Sequence, residues 1–186
     1  AYVSICLGSR NKENAHRSIG SAVTLCVVTS LVVTLLYLLL ADPILTAFGG
    51  RVNQETFDLS QEYFFYITLG IPFYMFGQAM NPIIRSDGAP RLAMIATVSG
   101  AVANVILDPI AIFVLHWGVM GAAIATVAGQ VITAVISLAY LFRMKSIHLQ
   151  RDSFRLRGKL IVHFLPLGFT SFLSQFSLVL AMAVIN

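Results

Sequence analysis

The sequence predicts an all-α integral membrane protein, a polytopic bundle of apolar helices. Three observations carry that reading. Hydrophobic residues make up 58% of the 186 residues and charged residues only 11%, whereas a soluble domain carries about 25% charge. The apolar residues fall into long runs, and a helix of about 20 such residues crosses roughly 30 Å of hydrocarbon. The basic residues sit almost entirely in alternate connections between the runs. A soluble helical protein would need a polar face along each helix, and these runs have none.

Five runs qualify as spans. Residues 22–41 are uninterrupted and uncharged. Residues 63–84 are also uncharged, but Gly70, Pro72, Gly77 and Pro82 punctuate them and predict breaks at 70–72 and 81–82. Residues 92–115 contain Asn104 and Asp108. Residues 119–142 are rich in Gly and Ala and contain Thr126 and Gln130. Residues 160–186 contain His163, Pro166 and Gln175; the histidine and glutamine read as hydrogen-bonded packing residues, and the run is expected to continue beyond the last residue. The opening 1–8 reads as the tail of a sixth helix, so the chain is expected to be a piece of a longer polypeptide. Cys6 and Cys26 have neither metal-ligand nor redox spacing and read as small apolar fillers.

The connections orient the bundle. Arg10, Lys12 and Arg17 precede the first full span, Arg85 and Arg91 flank the turn after the second, and Arg143, Lys145, Arg151, Arg155, Arg157 and Lys159 follow the fourth. If spans alternate, these connections share one side, which the positive-inside rule makes cytoplasmic. The other side holds Arg51 with Asp42, Glu55, Asp58 and Glu62. Topology therefore accounts for the net charge of +4, and no nucleic-acid partner is required. The connection 144–159 reads as a linker between two helical bundles, or else as a short amphipathic segment lying on anionic lipid. Tyr63, Phe64, Phe65 and Tyr66 at one end, Trp117 at an outer turn, and Tyr140 and Phe142 at the inner end read as interfacial anchors.

Asp108 is the most informative residue. No other charged side chain lies well inside a run. A carboxylate at mid-membrane costs roughly 2.5–3.5 kcal/mol on insertion scales, so it points to function. Asn104 precedes it by one helical turn and shares its face. The third and fourth spans are joined by only His116, Trp117 and Gly118, which forces an antiparallel hairpin. Asp108 is nine residues before Trp117 and Thr126 nine after, which places both about 13 Å below the outer end. Gly100, Ala103, Gly121, Ala125 and Gly129 allow close approach of the two backbones. The expectation is a carboxylate, a carboxamide and a hydroxyl facing one another, hard oxygen donors suited to a proton or Na⁺. Pro109 leaves the Val105 carbonyl without its helical donor, a local loosening common beside transporter ion sites. Gln78, Asn81 and Gln130 are candidate cavity-lining residues, on the reading that the second span is a flexible helix. Phe73, Tyr74, Met75, Phe76 and Met80 read as packing or lipid-facing before a drug pocket, and 86–90 as ordinary turn chemistry. A lone buried carboxylate, with no paired nucleophile and base, argues against an enzyme.

Three stretches, Arg85-Ser86-Asp87-Gly88-Ala89-Pro90-Arg91-Leu92-Ala93-Met94, Asn104-Val105-Ile106-Leu107-Asp108-Pro109 and Gly121-Ala122-Ala123-Ile124-Ala125-Thr126, together with Leu7-Gly8 and Glu13-Asn14-Ala15, resemble the multidrug and toxic compound extrusion (MATE) family of cation-coupled efflux transporters. The resemblance covers essentially the whole chain. It implies a twelve-helix, two-lobe fold in which 1–143 supply the end of helix 2 to helix 6, 144–159 the cytoplasmic inter-lobe linker, and 160–186 an incomplete helix 7. It implies coupling-cation ligands at Asp108, Asn104 and Thr126, with Na⁺ or H⁺ as the ion and no other cofactor. It also implies export of organic, often cationic, compounds from a bacterial inner membrane, with the remaining half of the polypeptide as partner. A lipid-linked oligosaccharide flippase of related architecture is the alternative. It would call for Lys or Arg inside the cavity, and no span places one centrally.

Overall fold

The computed structural model describes residues 12–47, 53–144, 168–169, 172–178 and 181. The elements are α1 (Lys12–Leu39), α2 (Ala41–Ala47), α3 (Gln54–Ser86), α4 (Pro90–Pro109), a π-helical turn (Ile110–Val114) and α5 (Gly118–Leu141). No strand occurs among the described residues. α3 packs against α1, α4 and α5, and α4 and α5 form the expected antiparallel hairpin. The linker at 145–159, the opening helix at 1–8 and most of the run 160–186 lie outside the described residues.

Three helical segments are long and apolar enough to cross a membrane: Arg17–Leu39, Pro90–Val114 and Gly118–Leu141. The second predicted run falls in α3, which is longer, at 33 residues, but more polar, because it carries Gln78, Asn81, Pro72 and Pro82. Large apolar side chains face outward all along the bundle, among them Leu35, Val105, Phe113 and Val135, each more than half exposed. On α4 the buried positions are small instead: Ala93, Ala96 and Gly100. This pattern, with small residues between helices and large ones outside, is that of a bundle solvated by lipid tails.

The predicted breaks in the second span do not occur. α3 runs unbroken through Pro72 and Pro82. The glycines there serve close packing rather than bending. A Cβ on Gly70 would collide with Gln130 and come within 2.8 Å of Val127, and one on Gly77 would lie 3.2 Å from the Thr133 methyl. A proline removes one hydrogen bond but leaves the rest of the ladder intact, and here the helix continues through both prolines. α3 begins at Asn53, whose side chain accepts from the Thr56 N–H at 2.7 Å, satisfying one of the free donors of the first turn.

Between α3 and α4 the chain reverses at Asp87-Gly88-Ala89. Gly88 takes φ +82°, a conformation that costs little without a Cβ. Pro90 then opens α4 at a position where a missing N–H is harmless. This turn is more than a surface connection. Asp87 is only 5% exposed, and the Tyr140 hydroxyl donates to its Oδ2 at 2.6 Å. The bond ties the turn to the inner end of α5, beside a buried cluster that includes Ala15, Ile19, Met80, Ile84, Ala93 and Leu141. Tyr140 is therefore not an interfacial anchor as its position suggested, whereas Phe142, two residues on, is 78% exposed. Removing the hydroxyl leaves a buried acidic side chain without one of its hydrogen bonds. Tyr140→Phe is expected to destabilise the protein by roughly 1.5–3 kcal/mol, readable as a lower midpoint of thermal unfolding in detergent. A midpoint equal to wild type would show that the bond carries no net stability.

Candidate functional site

The hairpin of α4 and α5 is set by two glycines. A Cβ on Gly129 would lie 2.6 Å from the Gly100 carbonyl oxygen and 3.3 Å from the Asn104 Cβ. So close an approach is available only where neither residue has a side chain. One turn toward the outer end, the same crossing brings Asn104 onto Thr126, and the carboxamide Nδ2 donates to Thr126 Oγ1 at 3.3 Å. Two of the three sequence-predicted oxygen donors are thus in contact.

Asp108 lies one further turn outward on the face of Asn104. Its side chain is half-buried, and its Oδ1 is buried with no hydrogen-bond partner. The expected pairing of Asp108 with Thr126 by equal distance from Trp117 is therefore offset by one turn: Thr126 faces Asn104 instead. The π-helical turn at Ile110–Val114 contributes to the offset. There Leu115 N–H bonds Ile110 O, and Trp117 N–H reaches back to Ala111 O, each at 3.0 Å. A π turn takes more residues per turn than an α turn, so the α4 strand of the hairpin uses more residues than α5 to reach a given depth. Pro109 immediately precedes this turn, so the loosening expected beside Asp108 is present, as a widened helix. His116 at φ +54° and Gly118 at φ +55° complete the reversal.

Inward from Asn104 a cavity of about 220 Å³ opens between α3, α4 and α5. Gln78, Asn81 and Gln130, the sequence candidates for cavity lining, all border it, together with Asn104, Thr126, Thr97 and Thr133. Asn81 donates to Thr97 Oγ1 at 3.0 Å and to Ala93 O at 3.5 Å. Thr133 donates to Ala96 O at 3.2 Å and to Gly129 O at 3.1 Å. Gln130 Oε1 is buried against Gly70 without a partner. Phe73 and Tyr74 line the cavity mouth, whereas Met80 is fully buried in the inner cluster. The sequence reading missed Thr97 and Thr133. Each is seven residues from a named site residue, Asn104 or Thr126, a spacing that returns to nearly the same helix face. Among the described residues no three His, Cys, Asp or Glu side chains cluster. A cation here would be held by one carboxylate and neutral oxygens.

The MatE family model matches residues 1–110. The chain belongs to the MatE family. This is a family of membrane transporters rather than enzymes, and the chain is a multi-pass integral membrane protein. It is 26% identical over its whole length to the multidrug export protein MepA of Staphylococcus saprophyticus, of which it covers 41%. Among solved structures it is similar to an inward-facing conformation of a multidrug resistance MATE family transporter of the MOP superfamily, with TM-score 0.86, 29% identity, and coverage of 94% of this chain and 40% of that one. It is equally similar to an outward-facing conformation of such a transporter, with TM-score 0.87, 30% identity, and coverage of 97% and 40%. The MatE-family chain thus spans between about a third and two fifths of the length of the relatives it matches.

Proposed function

We propose that the protein containing this chain is an antiporter in which an inward-moving proton or Na⁺, taken up at Asp108, drives export of organic, often cationic, compounds. The observation that carries the reading is the orphaned Asp108 Oδ1, buried beside the Asn104–Thr126 pair. A buried carboxylate oxygen without a donor is costly unless a proton or cation completes it. One carboxylate, one carboxamide oxygen and one hydroxyl are hard donors that favour H⁺ or Na⁺ over transition metals. The names of the relatives, multidrug export and multidrug resistance, support small organic compounds as cargo.

The near-equal match to inward- and outward-facing structures supports a lobe that moves as a rigid body. In that scheme the cation biases the bundle only through its differential affinity for the two states. A lipid-linked oligosaccharide flippase would need a cationic cavity for its phosphate, and no Lys or Arg borders the cavity described above.

The deciding experiment is efflux of a fluorescent organic cation from vesicles bearing the full-length protein, under a proton or a Na⁺ gradient alone. Efflux under one gradient names the ion; absence of efflux under both refutes the antiporter reading. Thr126→Val removes one neutral oxygen ligand while preserving shape. It is expected to raise the cation concentration for half-maximal efflux roughly tenfold, equivalent to about 1.4 kcal/mol for one lost ligand. An unchanged concentration dependence would remove Thr126 from the site.

A further inference from the structure

The helical ladder lapses just after Asp108. Pro109 has no N–H to donate. The Ile110 N–H reaches only three residues back, to the Leu107 carbonyl. The chain then widens into the π turn, where the Leu115 N–H bonds the Ile110 carbonyl, five residues back, at 3.0 Å. Asp108 therefore stands where regular α4 backbone ends, and its aim depends on how the next turn is held. On its inner side α4 is pinned to α5 at the Gly100–Gly129 crossing. On its outer side the hold is a single residue. Ala111 is the buried residue of the π turn, at 6% exposure, whereas Ile110, Phe113 and Val114 are exposed.

Ala111 rests on Gly121 of α5. A Cβ on Gly121 would lie 3.0 Å from both the Ala111 carbonyl oxygen and the Ala111 Cβ, and 3.1 Å from the carbonyl carbon. Two of those three atoms are backbone, so a methyl fits only if the Ala111 peptide shifts. That peptide is held from its other side as well, because its oxygen accepts the Trp117 N–H at 3.0 Å. Ala111 follows Asp108 by three residues, which places the two on one face of the helix. A shift of Ala111 is therefore passed back toward Asp108, and the bond missing at Pro109 leaves little to resist it. π turns occur frequently at functional sites. This one adjoins a carboxylate whose Oδ1 is buried without a hydrogen-bond partner.

We propose that Gly121 is a positioning residue for Asp108: by admitting the Ala111 peptide flush against α5, it fixes the turn that aims the carboxylate and so sets the affinity for the coupling cation. The inference rests on the antiporter reading. It concerns how tightly the cation is held, not which ion or cargo is carried.

The test measures binding of the driving cation to the full-length protein in detergent, without cargo, as retained radioactive sodium or as protons taken up. Gly121→Ala is expected to weaken binding roughly fivefold, as for a ligand misaimed rather than lost. The cation concentration for half-maximal efflux should rise by the same factor, with the rate at saturating cation near wild type. Deletion of the exposed Phe113 takes out the additional residue that a π turn spends. It displaces the same peptide without adding bulk, and is expected to weaken binding at least as much. Tyr140→Phe loosens the far end of α5 and is expected to bind the cation as wild type does. Wild-type affinity in either folded variant, Gly121→Ala or the Phe113 deletion, overturns the proposal. An equal weakening in Tyr140→Phe also overturns it, by making the effect one of general stability. Both of those outcomes leave wild-type efflux, and with it the antiporter reading, intact. Absence of wild-type efflux under either gradient refutes that reading and this proposal together.

Discussion

Asp108→Asn is expected to abolish gradient-driven efflux while leaving expression and folding near wild type. The substitution is nearly isosteric, so the packing of α4 against α5 through Gly100 and Gly129 is preserved. What disappears is the negative charge and the only titratable oxygen pair at that depth of the hairpin. Asn104 and Thr126, already hydrogen-bonded to each other, offer a cation only neutral oxygens. A cation can bias the transporter only as far as its affinity differs between states, and coupling energies of 1–3 kcal/mol correspond to roughly 5–150-fold. Without the carboxylate, efflux should fall by about 100-fold, the upper part of that range. Dye efflux from vesicles at matched protein levels measures this directly. Efflux within twofold of wild type would reduce Asp108 to a helix-packing residue and move the coupling site elsewhere in the polypeptide. Binding of the dye to de-energised protein should persist in the variant, since the proposal places the charge in coupling and not in the cargo contact.

The second large effect is structural and falls on a residue with no functional group. Gly129→Ala puts a methyl 2.6 Å from the Gly100 carbonyl oxygen. That oxygen belongs to helical backbone and has no rotamer with which to escape. The helices must separate, at a cost of about 3 kcal/mol, the upper end for overpacking a tight interface. Gly77→Ala provides the contrast. Its added methyl meets only the Thr133 methyl, at 3.2 Å, and a small rotation relieves it, so a loss below about 1 kcal/mol is expected. Thermal unfolding of the purified protein in detergent separates the two. Equal midpoints for Gly129→Ala and Gly77→Ala would mean that the hairpin crossing is looser than described. Because the same crossing seats Asn104 on Thr126, Gly129→Ala should also weaken efflux in the protein that remains folded.

Much of this architecture was legible in the residues themselves. Lipid leaves the backbone only helix as a spanning form here, so run length and charge placement sufficed for the class, the spans of α1, α4 and α5, and the tight hairpin at His116–Gly118. The same logic singled out Asp108, because a charge inside such a run needs a reason. Gln78, Asn81 and Gln130 were legible for the same reason, as polar side chains in apolar helices, and all three border one cavity.

Elsewhere the local signal pointed the wrong way. Pro72 and Pro82 signalled breaks, yet α3 is continuous, because its glycines are held flush against Gln130, Val127 and Thr133 of α5. Asp87 read as a turn residue and Tyr140 as an interfacial anchor. Their bond across 53 positions of sequence exists only once α3 and α5 lie side by side. Thr126 was assigned to the level of Asp108 by counting from the turn. A π turn changes the count, and nothing in Ile110–Val114 announces one beyond the preceding proline.

The sequence by itself determined which runs are long and apolar enough to span a membrane and which side chains are too costly to be there without a role. These follow from transfer energies that each residue carries alone. Only the tertiary structure decided which of those side chains meet, at what register, and that Asp108 keeps an oxygen unpartnered. Contacts between helices depend on backbone approach to within tenths of an ångström, and that distance is a property of two surfaces together, not of either sequence run.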